Sequence, residues 1–343
     1  MTELAIIADD LTGALDAAAP FAMRGLKTVV ALSPAALAEA VAAGARVVGV
    51  STDSREVDPD TASDRTQQAV QAIGLSVRLF KKVDSRLKGN VAAELDVLAY
   101  DRSLVVPAIP EFGRFVKDGK LFGFGIDTPI DVREALGQHA DRSVVPDVAS
   151  TGDVEAALKE HPEDLAVGAR TLADAMAAQM AQKPVEPATR VAARRAIFVL
   201  GSRDPITLAQ IERLRGAFPK VAYLAAPGGA VGDGVAVQDE VIIVHATQGQ
   251  HADAPGTVAC RLADGLLRVG SLEDTLVVLS GGATAQVVLG QMEIGLVEVL
   301  GEVLPGLPIA QTLRFKLITK SGGFGEPDAL VKIVSQCIRR SGT

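Results

Sequence analysis

The sequence predicts an α/β protein of two domains, each a mainly parallel sheet flanked by helices. Short aliphatic runs alternate with helical patterns along most of the chain, which is typical of repeated βα units. Hydrophobic residues make up 48% of the sequence but aromatic residues only 3%, with no Trp. Aliphatic strands of this kind suit a parallel sheet that is buried on both faces. At 343 residues, the chain is also longer than one hydrophobic core usually supports.

A polar stretch with two prolines divides the chain. Residues 183–187 read Lys-Pro-Val-Glu-Pro, which is typical of a linker between domains. We therefore expect one domain at 1–182 and a second at 196–343, joined by a linker at 183–195.

In the first half, each strand-like run is followed by a helical one. Strands are expected at Leu4–Ala8, Thr28–Leu32, Arg46–Ser51, Val77–Lys81 and Ser103–Pro107. Helices are expected at Gly13–Arg24, Pro34–Ala43, Pro59–Ile73 and Val91–Tyr100. Residues 110–130 interrupt the alternation and predict a hairpin that turns at Lys117-Asp118-Gly119. Two further βα steps precede the linker.

The alternation resumes after the linker. Strands are expected at Ala196–Gly201, Val221–Ala225, Val241–His245, Thr275–Ser280 and Arg314–Thr319. Helices are expected at Pro205–Ala217, Gly256–Val269, Thr284–Gln291 and Pro327–Ile338. Because βα units place their strands in parallel, the turns that leave the strands should gather at one edge of each sheet, where open α/β folds bind ligands.

Charge and cysteine usage exclude several classes of protein. The net charge of −8 argues against nucleic acid as the main partner, because phosphate backbones require a basic surface. The chain begins without a basic and apolar leader and has no apolar run long enough for a membrane span. Cys260 and Cys337 are the only cysteines, and the four histidines show no zinc-ligand spacing. We expect a cytoplasmic protein.

The first candidate site follows the first strand. Asp9 and Asp10 are adjacent, and Asp10 or Thr12 is a plausible N-cap of the next helix. Two neighbouring carboxylates repel each other and lose hydration, so a metal, cationic side chains or substrate hydroxyls should compensate. The alternative is a helix cap beside one solvated aspartate.

The second candidate site follows the fourth strand. Between residues 84 and 90 the chain combines an acceptor, a hydroxyl, cations and an amide, supplied by Asp84, Ser85, Arg86, Lys88 and Asn90. This set suits a polyhydroxy acid, since Arg binds a carboxylate with two donors while Asp and Asn orient hydroxyls. The alternative is a solvated charged turn. Arg114 in the predicted hairpin is a further cation that could reach this edge.

Three turns in the second half suggest anion binding. Each follows a strand, and together they contain Ser202, Arg203, Gly281, Gly282, Ala283, Thr284, Lys320, Gly322 and Gly323. Glycines let a backbone approach a phosphate, and a helix N-terminus offers free N–H groups. The three turns together therefore predict a site for a nucleotide or sugar phosphate, although neither the P-loop nor the Gly-x-Gly-x-x-Gly pattern is present. The alternative is that tight turns need glycine in any case.

Through nearly its whole length the chain resembles the four-carbon acid sugar kinases, a two-domain α/β family. The N-terminal motifs are ADDLTGALDAA at 8–18, KKVDSRLKGNVAAEL at 81–95 and PAIPEFGR at 107–114. The C-terminal motifs are GSRDPIT at 201–207, SGGATA at 280–285 and KSGGFGEPD at 320–328. The resemblance implies an acid-sugar-binding domain, then an ATP-binding domain, with the active site in the cleft between them. Family members phosphorylate the terminal hydroxyl of threonate, erythronate or 3-oxo-tetronate.

The resemblance also assigns residues by position. The sugar pocket would contain Asp9, Asp10, Asp84, Arg86 and Asn90, and the ATP site would contain Ser202, Gly281, Gly282, Thr284 and Gly323. Asp10 or Asp84 would accept the proton of the hydroxyl, and Asp9 could instead serve Mg²⁺. The charge of the γ-phosphate would be balanced by glycine-turn N–H groups, Mg²⁺ and Arg203 or Lys320.

Most departures from the family pattern fall on the nucleotide side. The first C-terminal turn reads Gly-Ser-Arg-Asp where the family usually has Gly-Ser-Cys-Ser, Ala283 stands where an acidic residue is usual, and Gly323 stands where Asn is usual. On the sugar side, Arg86 is often Thr and Lys88 often Arg. Two alternatives therefore remain: an enzyme with another phosphate donor or reaction, and a non-catalytic acid-sugar sensor. Aliphatic α/β enzymes are often dimers, so a homodimer is one expected assembly.

Overall fold

The computed structural model describes residues 1–74, 77–162, 164–181, 192–232, 239–251 and 253–338. The chain divides into two compact units, Met1–Val185 and Glu186–Thr343. Most of the predicted linker at 183–195 lies outside the described residues, and its last residue already begins a strand.

The strands and helices expected at the start of the first unit are present. Its first strands are β1 (Leu4–Ala8), β2 (Thr28–Ala31), β3 (Val47–Ser51), β4 (Arg78–Lys82) and β5 (Ser103–Val106). Its first helices are α1 (Leu11–Met23), α2 (Leu37–Ala42), α3 (Pro59–Ile73) and α4 (Val91–Asp96). A 3-10 turn forms the first part of the expected Pro34–Ala43 helix. Helix α4 is shorter than predicted: it ends at Asp96, four residues before the expected end at Tyr100.

The region predicted as a hairpin is a three-stranded antiparallel sheet. It consists of β6 (Arg114–Lys117), β7 (Lys120–Gly123) and β8 (Ile126–Asp131). The predicted turn is present, with positive φ angles of 50° at Asp118 and 71° at Gly119, as a two-residue hairpin requires. The third strand was not predicted. It contains Pro129. A proline is tolerated in an edge strand because one side of that strand has no neighbouring strand to which a backbone N–H must donate.

The remaining elements complete the main sheet of the first unit. They are α5 (Val132–Leu136), β9 (Ser143–Val144), α6 (Thr151–Glu160), β10 (Leu165–Gly168) and α7 (Arg170–Met180). The strand order is β2-β3-β1-β4-β10-β5-β9, and the strands pair in parallel. Strand β1 lies between β3 and β4, with Ala8 opposite both Ser51 and Lys82. The turns after these three strands therefore meet at one edge.

The second unit has a parallel sheet with an antiparallel extension. Its strands are β11 (Arg195–Leu200), β12 (Ala222–Pro227), β13 (Val241–Thr247), β14 (Thr275–Ser280), β15 (Leu296–Leu304), β16 (Leu307–Gln311) and β17 (Lys316–Lys320). Its helices are α8 (Pro205–Ala217), α9 (Pro255–Arg268), α10 (Gly282–Gln291) and α11 (Ala329–Cys337). The order is β12-β13-β11-β14-β17-β16-β15. The β15–β16 hairpin was missed, although Pro305-Gly306 between two apolar runs is a turn signal.

Apolar packing holds the second sheet against its helices. A buried cluster joins sheet residues such as Phe198 and Ile243 to Ile211 on α8 and Ile333 on α11. Because this face is sealed, ligand access is left to the turns at the carboxyl ends of the strands.

Candidate active site

Three carboxylates of the first unit converge on one guanidinium. Arg55 donates to both oxygens of Asp9, at 2.7 Å from Nε and 2.9 Å from Nη2. Its Nη1 donates to Oδ2 of Asp10 at 2.8 Å and lies 3.8 Å from Oδ1 of Asp84. Asp9 is 2% exposed. Arg55 is therefore the cation that compensates the paired aspartates, and the sequence interpretation missed it.

The sheet order explains why these groups meet. Asp9 follows β1, Arg55 lies in the turn after β3, and Asp84 follows β4. The backbone N–H of Ser54 donates to the carbonyl of Asp9 at 2.9 Å, which joins the first two turns. Gly89 has a φ of +94°, and a Cβ there would lie 3.3 Å from Cγ of Arg55. Glycine at this position leaves room for the Arg55 side chain.

Asp9 and Arg55 stabilise each other in their charged forms. Burial by itself raises the pKa of Asp9, but hydrogen bonds and charge from Arg55, with Lys81 and Lys82 nearby, outweigh it and lower the pKa below its ordinary value. Burial opposes the charge of Arg55, yet the surrounding carboxylates raise the pKa of its guanidinium. Asp9 and Arg55 therefore form a charged pair at neutral pH.

The two candidate bases differ in how their oxygens are occupied. Asp10 is the N-cap of α1: Oδ1 accepts from the N–H of Gly13 at 2.7 Å, and Oδ2 accepts from Thr12 Oγ1 at 2.7 Å in addition to Arg55. Oδ2 of Asp84 accepts from the N–H of Arg86 at 2.9 Å. Within the described part of the chain, Oδ1 of Asp84 has only the more distant Arg55, so it is the freer acceptor.

Two further guanidinium groups lie beside Asp84. Arg114 donates to Oγ of Ser85 at 2.6 Å. Burial and then the like charge of Arg86 lower the pKa of Arg114, while Asp84 acts in the opposite direction. The guanidinium of Arg86 makes no hydrogen bond or ion pair to any residue that the structure describes. Such an arrangement favours an added anion between or beside the two cations.

The remaining predicted residues of this unit have different environments. Asn90 uses its side-chain N–H groups inside the fold, donating to the carbonyls of Ser54 and Val57 at 2.9 Å each. This contact holds the turn that carries Arg55. Lys88 is exposed, and its backbone N–H lies 3.4 Å from Asp84.

A buried ion pair is hydrogen-bonded to the turn that follows β3. Lys81 and Glu94 are 0% and 1% exposed and lie 3.0 Å apart. Oγ of Ser54 donates to Glu94 and contacts the hydroxyl of Thr52, which in turn bonds the carbonyl of Ala8 at 2.9 Å. The pair therefore links β4 and α4 to the ends of β1 and β3. This network, too, was absent from the sequence prediction.

The second unit contains a cavity of about 460 Å³ at the carboxyl ends of its parallel strands. Of the predicted nucleotide-binding residues, those that line it are Ser202, Arg203, Gly281, Gly282, Ala283 and Thr284. Helix α10 begins there, and Gly281 before it has a φ of +105°. A Cβ on Gly201 would lie 2.1 Å from Oγ1 of Thr284. The two turns are therefore packed so closely that only glycine fits at 201.

The third glycine turn does not line this cavity. Lys320 is 1% exposed and donates to the carbonyls of Ser321, Gly322 and Phe324 at 2.9–3.1 Å. A Cβ on Gly322 would lie 2.3 Å from Oγ of Ser202, and one on Gly323 would lie 2.9 Å from Asp204. The turn thus packs against the 202–204 turn and supports it.

Part of the cavity wall was missed by the sequence prediction. It comes from the turns after β12 and β13 and includes Gly228, Thr247, Gln248, Gly249, Gln250, His251 and Asp253. The signal that could have found them is a glycine or polar turn directly after each strand, Pro227-Gly228-Gly229 and Thr247-Gln248-Gly249.

Comparison with known proteins agrees with a two-part enzyme. Residues 4–258 match the family model described as a sugar-binding N-terminal domain, and residues 233–330 match the one described as a nucleotide-binding C-terminal domain. The first match extends beyond Val185, where the compact units divide.

Named relatives agree with the family models, and a solved structure shares the fold. The chain is 28% identical to a D-threonate kinase of Bordetella bronchiseptica over 417 aligned positions, covering 98% of this chain and 97% of the relative. It is 39% identical to a D-erythronate kinase of Heliobacterium modesticaldum over 130 residues, or 35% of this chain and 29% of the relative. A Salmonella typhimurium LT2 structure described as a tRNA synthase shares the fold, with a TM-score of 0.75, 20% identity and coverage of 97% and 98% of the two chains.

The fold and its two polar edges define a two-domain α/β enzyme, and the comparisons identify its class as a sugar-acid kinase. The chain belongs to the four-carbon acid sugar kinase family. No helix in the described segments is long and apolar enough to cross a membrane.

Proposed function

We propose that this protein transfers the γ-phosphate of ATP to the terminal hydroxyl of a four-carbon acid sugar of the threonate, erythronate or 3-oxo-tetronate type. The observation that carries the proposal is the pair of guanidinium groups, Arg86 and Arg114, near Asp84, whose Oδ1 faces only the more distant Arg55 among the described residues. One end of this site attracts a carboxylate and the other accepts a hydroxyl proton. The relatives that act on D-threonate, D-erythronate and 3-oxo-tetronate support the same substrate class.

The sugar-acid carboxylate would bind Arg86 and Arg114. A carboxylate relieves the repulsion between two neighbouring cations, and Arg supplies paired donors that match its two oxygens. Ser85, which already accepts from Arg114, adds a hydroxyl at the same place. Asp10 and Thr12 would contact hydroxyls of the substrate, while Asp9 holds Arg55 in position and would serve Mg²⁺ only if Arg55 moved away.

Asp84 would accept the proton of the attacking hydroxyl. Phosphoryl transfer passes through a loose transition state, so positioning and charge neutralisation matter more than a strong base. Oδ1 of Asp84 accepts no close hydrogen bond from the described residues, whereas both oxygens of Asp10 are already hydrogen-bonded. For direct transfer the hydroxyl oxygen and the γ-phosphorus have to approach to about 3–3.5 Å.

The nucleotide would occupy the cavity of the second unit. A volume of about 460 Å³ suits a small-molecule ligand. The phosphates would bind the N–H groups at the start of α10, where Gly281 allows close approach. Arg203 on the same wall would add positive charge. Mg²⁺ would be held mainly by phosphate oxygens and water, as is usual for this ion.

The test is ADP formation by the purified protein with ATP, Mg²⁺ and each of the three acid sugars, with the phosphorylated product identified by mass spectrometry. We expect Asp84→Asn to lower kcat by about 10²–10⁴-fold. Arg86→Met should raise KM for the acid sugar, Arg86→Lys should restore part of the affinity, and Arg133→Met on the surface should have no effect.

Each alternative has its own outcome. Binding of an acid sugar without ADP formation, and without a thermal shift on adding ATP, would support a sensor and contradict a kinase. Turnover with another phosphate donor but not with ATP would retain the sugar site and overturn the nucleotide part of the proposal. Ala283, at a position where the family has an acidic residue, makes this second comparison necessary.

A further inference from the structure

The cavity proposed to bind the nucleotide has a second polar end, away from the Gly281–Thr284 turn, that contains the carboxylate of Asp253. Asp253 lines the cavity, and Arg261 on α9 holds it in place. Nη1 of Arg261 donates to Oδ2 of Asp253 at 2.7 Å and to the carbonyl of Gly228 at 3.0 Å. Nη2 approaches Oδ1 at 3.5 Å. One guanidinium thus connects the turn after β12 to the turn before α9.

The backbone at Gly228 is adapted to this carboxylate. Its φ is +58°, and a Cβ there would lie 2.7 Å from Oδ2 of Asp253 and 3.1 Å from Nη1 of Arg261. Any side chain at 228 would therefore displace the ion pair. Asp253 keeps acceptor capacity beyond Arg261, since a carboxylate offers about four lone-pair positions.

The two ends of the cavity present different polar groups. The turn at Gly281–Thr284 presents N–H groups and attracts phosphate, whereas Asp253, paired with Arg261, presents acceptor oxygens that suit hydroxyl donors and cannot donate to a phosphate. The former turn follows β14 and Gly228 follows β12, which are separated by β11 and β13 in the sheet. With strands about 4.8 Å apart, the two ends lie roughly 14 Å apart along the edge. An extended nucleoside triphosphate can span such a distance.

On this geometry, and resting on the proposed function, we infer that Asp253 accepts hydrogen bonds from the ribose hydroxyls of the nucleotide. Arg261 is the positioning residue that orients this carboxylate. The phosphates lie toward α10 and the nucleoside toward the turns after β12 and β13. The enzyme therefore selects ribonucleotides over deoxyribonucleotides at this end of the cavity.

Calorimetric affinities of the full-length protein for ATP, 2′,3′-dideoxy-ATP and inorganic tripolyphosphate test the inference. We expect ATP to bind on the order of 10- to 100-fold more tightly than the dideoxy analogue, as hydrogen bonds to a charged acceptor imply. Asp253→Asn and Arg261→Met should reduce or abolish that preference while leaving tripolyphosphate affinity unchanged. Asp264→Asn, an exposed carboxylate on the same helix, should behave like the unmodified protein.

The wild-type comparison requires no variant and is decisive by itself. Equal affinity for ATP and its dideoxy analogue would overturn the ribose site while leaving the kinase proposal in place. A preserved preference in folded Asp253→Asn would also overturn it. Failure of every nucleotide to bind, together with absence of ADP formation, would contradict the proposed function and this inference with it.

Discussion

At the scale of single residues, the site of the first unit depends on compensated charge. Asp9 is buried and would be costly there without a partner, because burying an isolated charge removes its hydration. Arg55 supplies two hydrogen bonds to it and reaches two further carboxylates. Because each residue compensates the charge of the other, loss of either one should lower both the stability of the protein and its activity.

Arg55→Met should lower the free energy of unfolding by about 3–5 kcal/mol, because it leaves a buried carboxylate unpaired. Adding Asp9→Asn to this variant should recover part of the loss. Arg46→Met removes an exposed Arg–Glu pair of similar geometry and should cost no more than about 1 kcal/mol. Urea denaturation of the four proteins measures these differences, and equal losses for the two Arg variants would contradict the argument.

The same ion pair predicts a dependence on acid. The pKa of Asp9 is lower in the folded chain than in the unfolded chain, so the unfolded chain binds more protons as the pH falls. Stability from this group is present above about pH 4 and is lost as the pH decreases through the folded-state pKa. Urea midpoints between pH 6 and pH 3 should therefore fall more steeply for the natural protein than for the Asp9→Asn/Arg55→Met double variant.

Lys320 predicts a further dependence of stability on pH, in the alkaline range. Burial lowers the pKa of its ammonium to about 8, so between about pH 8 and 10 the unfolded chain binds more protons than the folded one. The free energy of unfolding should therefore rise over this range, by on the order of 1–3 kcal/mol. Lys320→Met should lack the rise, whereas Lys332→Met, an exposed control, should retain it. Parallel curves for all three proteins would show that Lys320 keeps its ordinary pKa.

At the scale of elements, the proposed nucleotide site depends on how closely two turns pack. Gly201→Ala would place a Cβ 2.1 Å from Oγ1 of Thr284. We expect it to cost about 1–3 kcal/mol of stability and to weaken ATP binding at least tenfold, because the start of α10 has to move. Gly290→Ala, in the same helix, has nothing within 4 Å of the added Cβ. Gly290→Ala should leave ATP affinity unchanged and increase the free energy of unfolding by up to about 1 kcal/mol.

The elements also show where sequence patterns succeed. Strands such as β1 and β14 were predicted to the residue, because buried aliphatic runs between turn residues have few other interpretations. The β15–β16 hairpin was missed because nine residues of half-buried strand resemble neither a short buried strand nor a helix. The third strand after the 118–119 turn was missed because its polar, Pro-containing sequence has weak β propensity.

At the scale of the whole molecule, each unit should respond to its own ligand. An acid sugar added alone should slow amide hydrogen exchange in residues 84–90 and 110–124, and ATP added alone should slow it in 201–204, 247–251 and 281–284. Hydrogen-exchange mass spectrometry with each ligand measures this. Protection of 281–284 by the acid sugar and not by ATP would contradict the assignment of the two units.

The sequence alone determined the class of fold and the turns that form the candidate sites, because βα alternation and glycine or charged turns after strands are local patterns. It did not identify Arg55, Lys81 or Asp253, since each is one ordinary charged residue in its own segment. The order of the strands in each sheet determines which residues these three side chains contact. Placing β1 between β3 and β4 brings Arg55 to Asp9 and Asp84, and the β12-β13-β11-β14 order puts Asp253 and α10 on one cavity. Strand order is a property of long-range packing, so these contacts exist only in the folded chain.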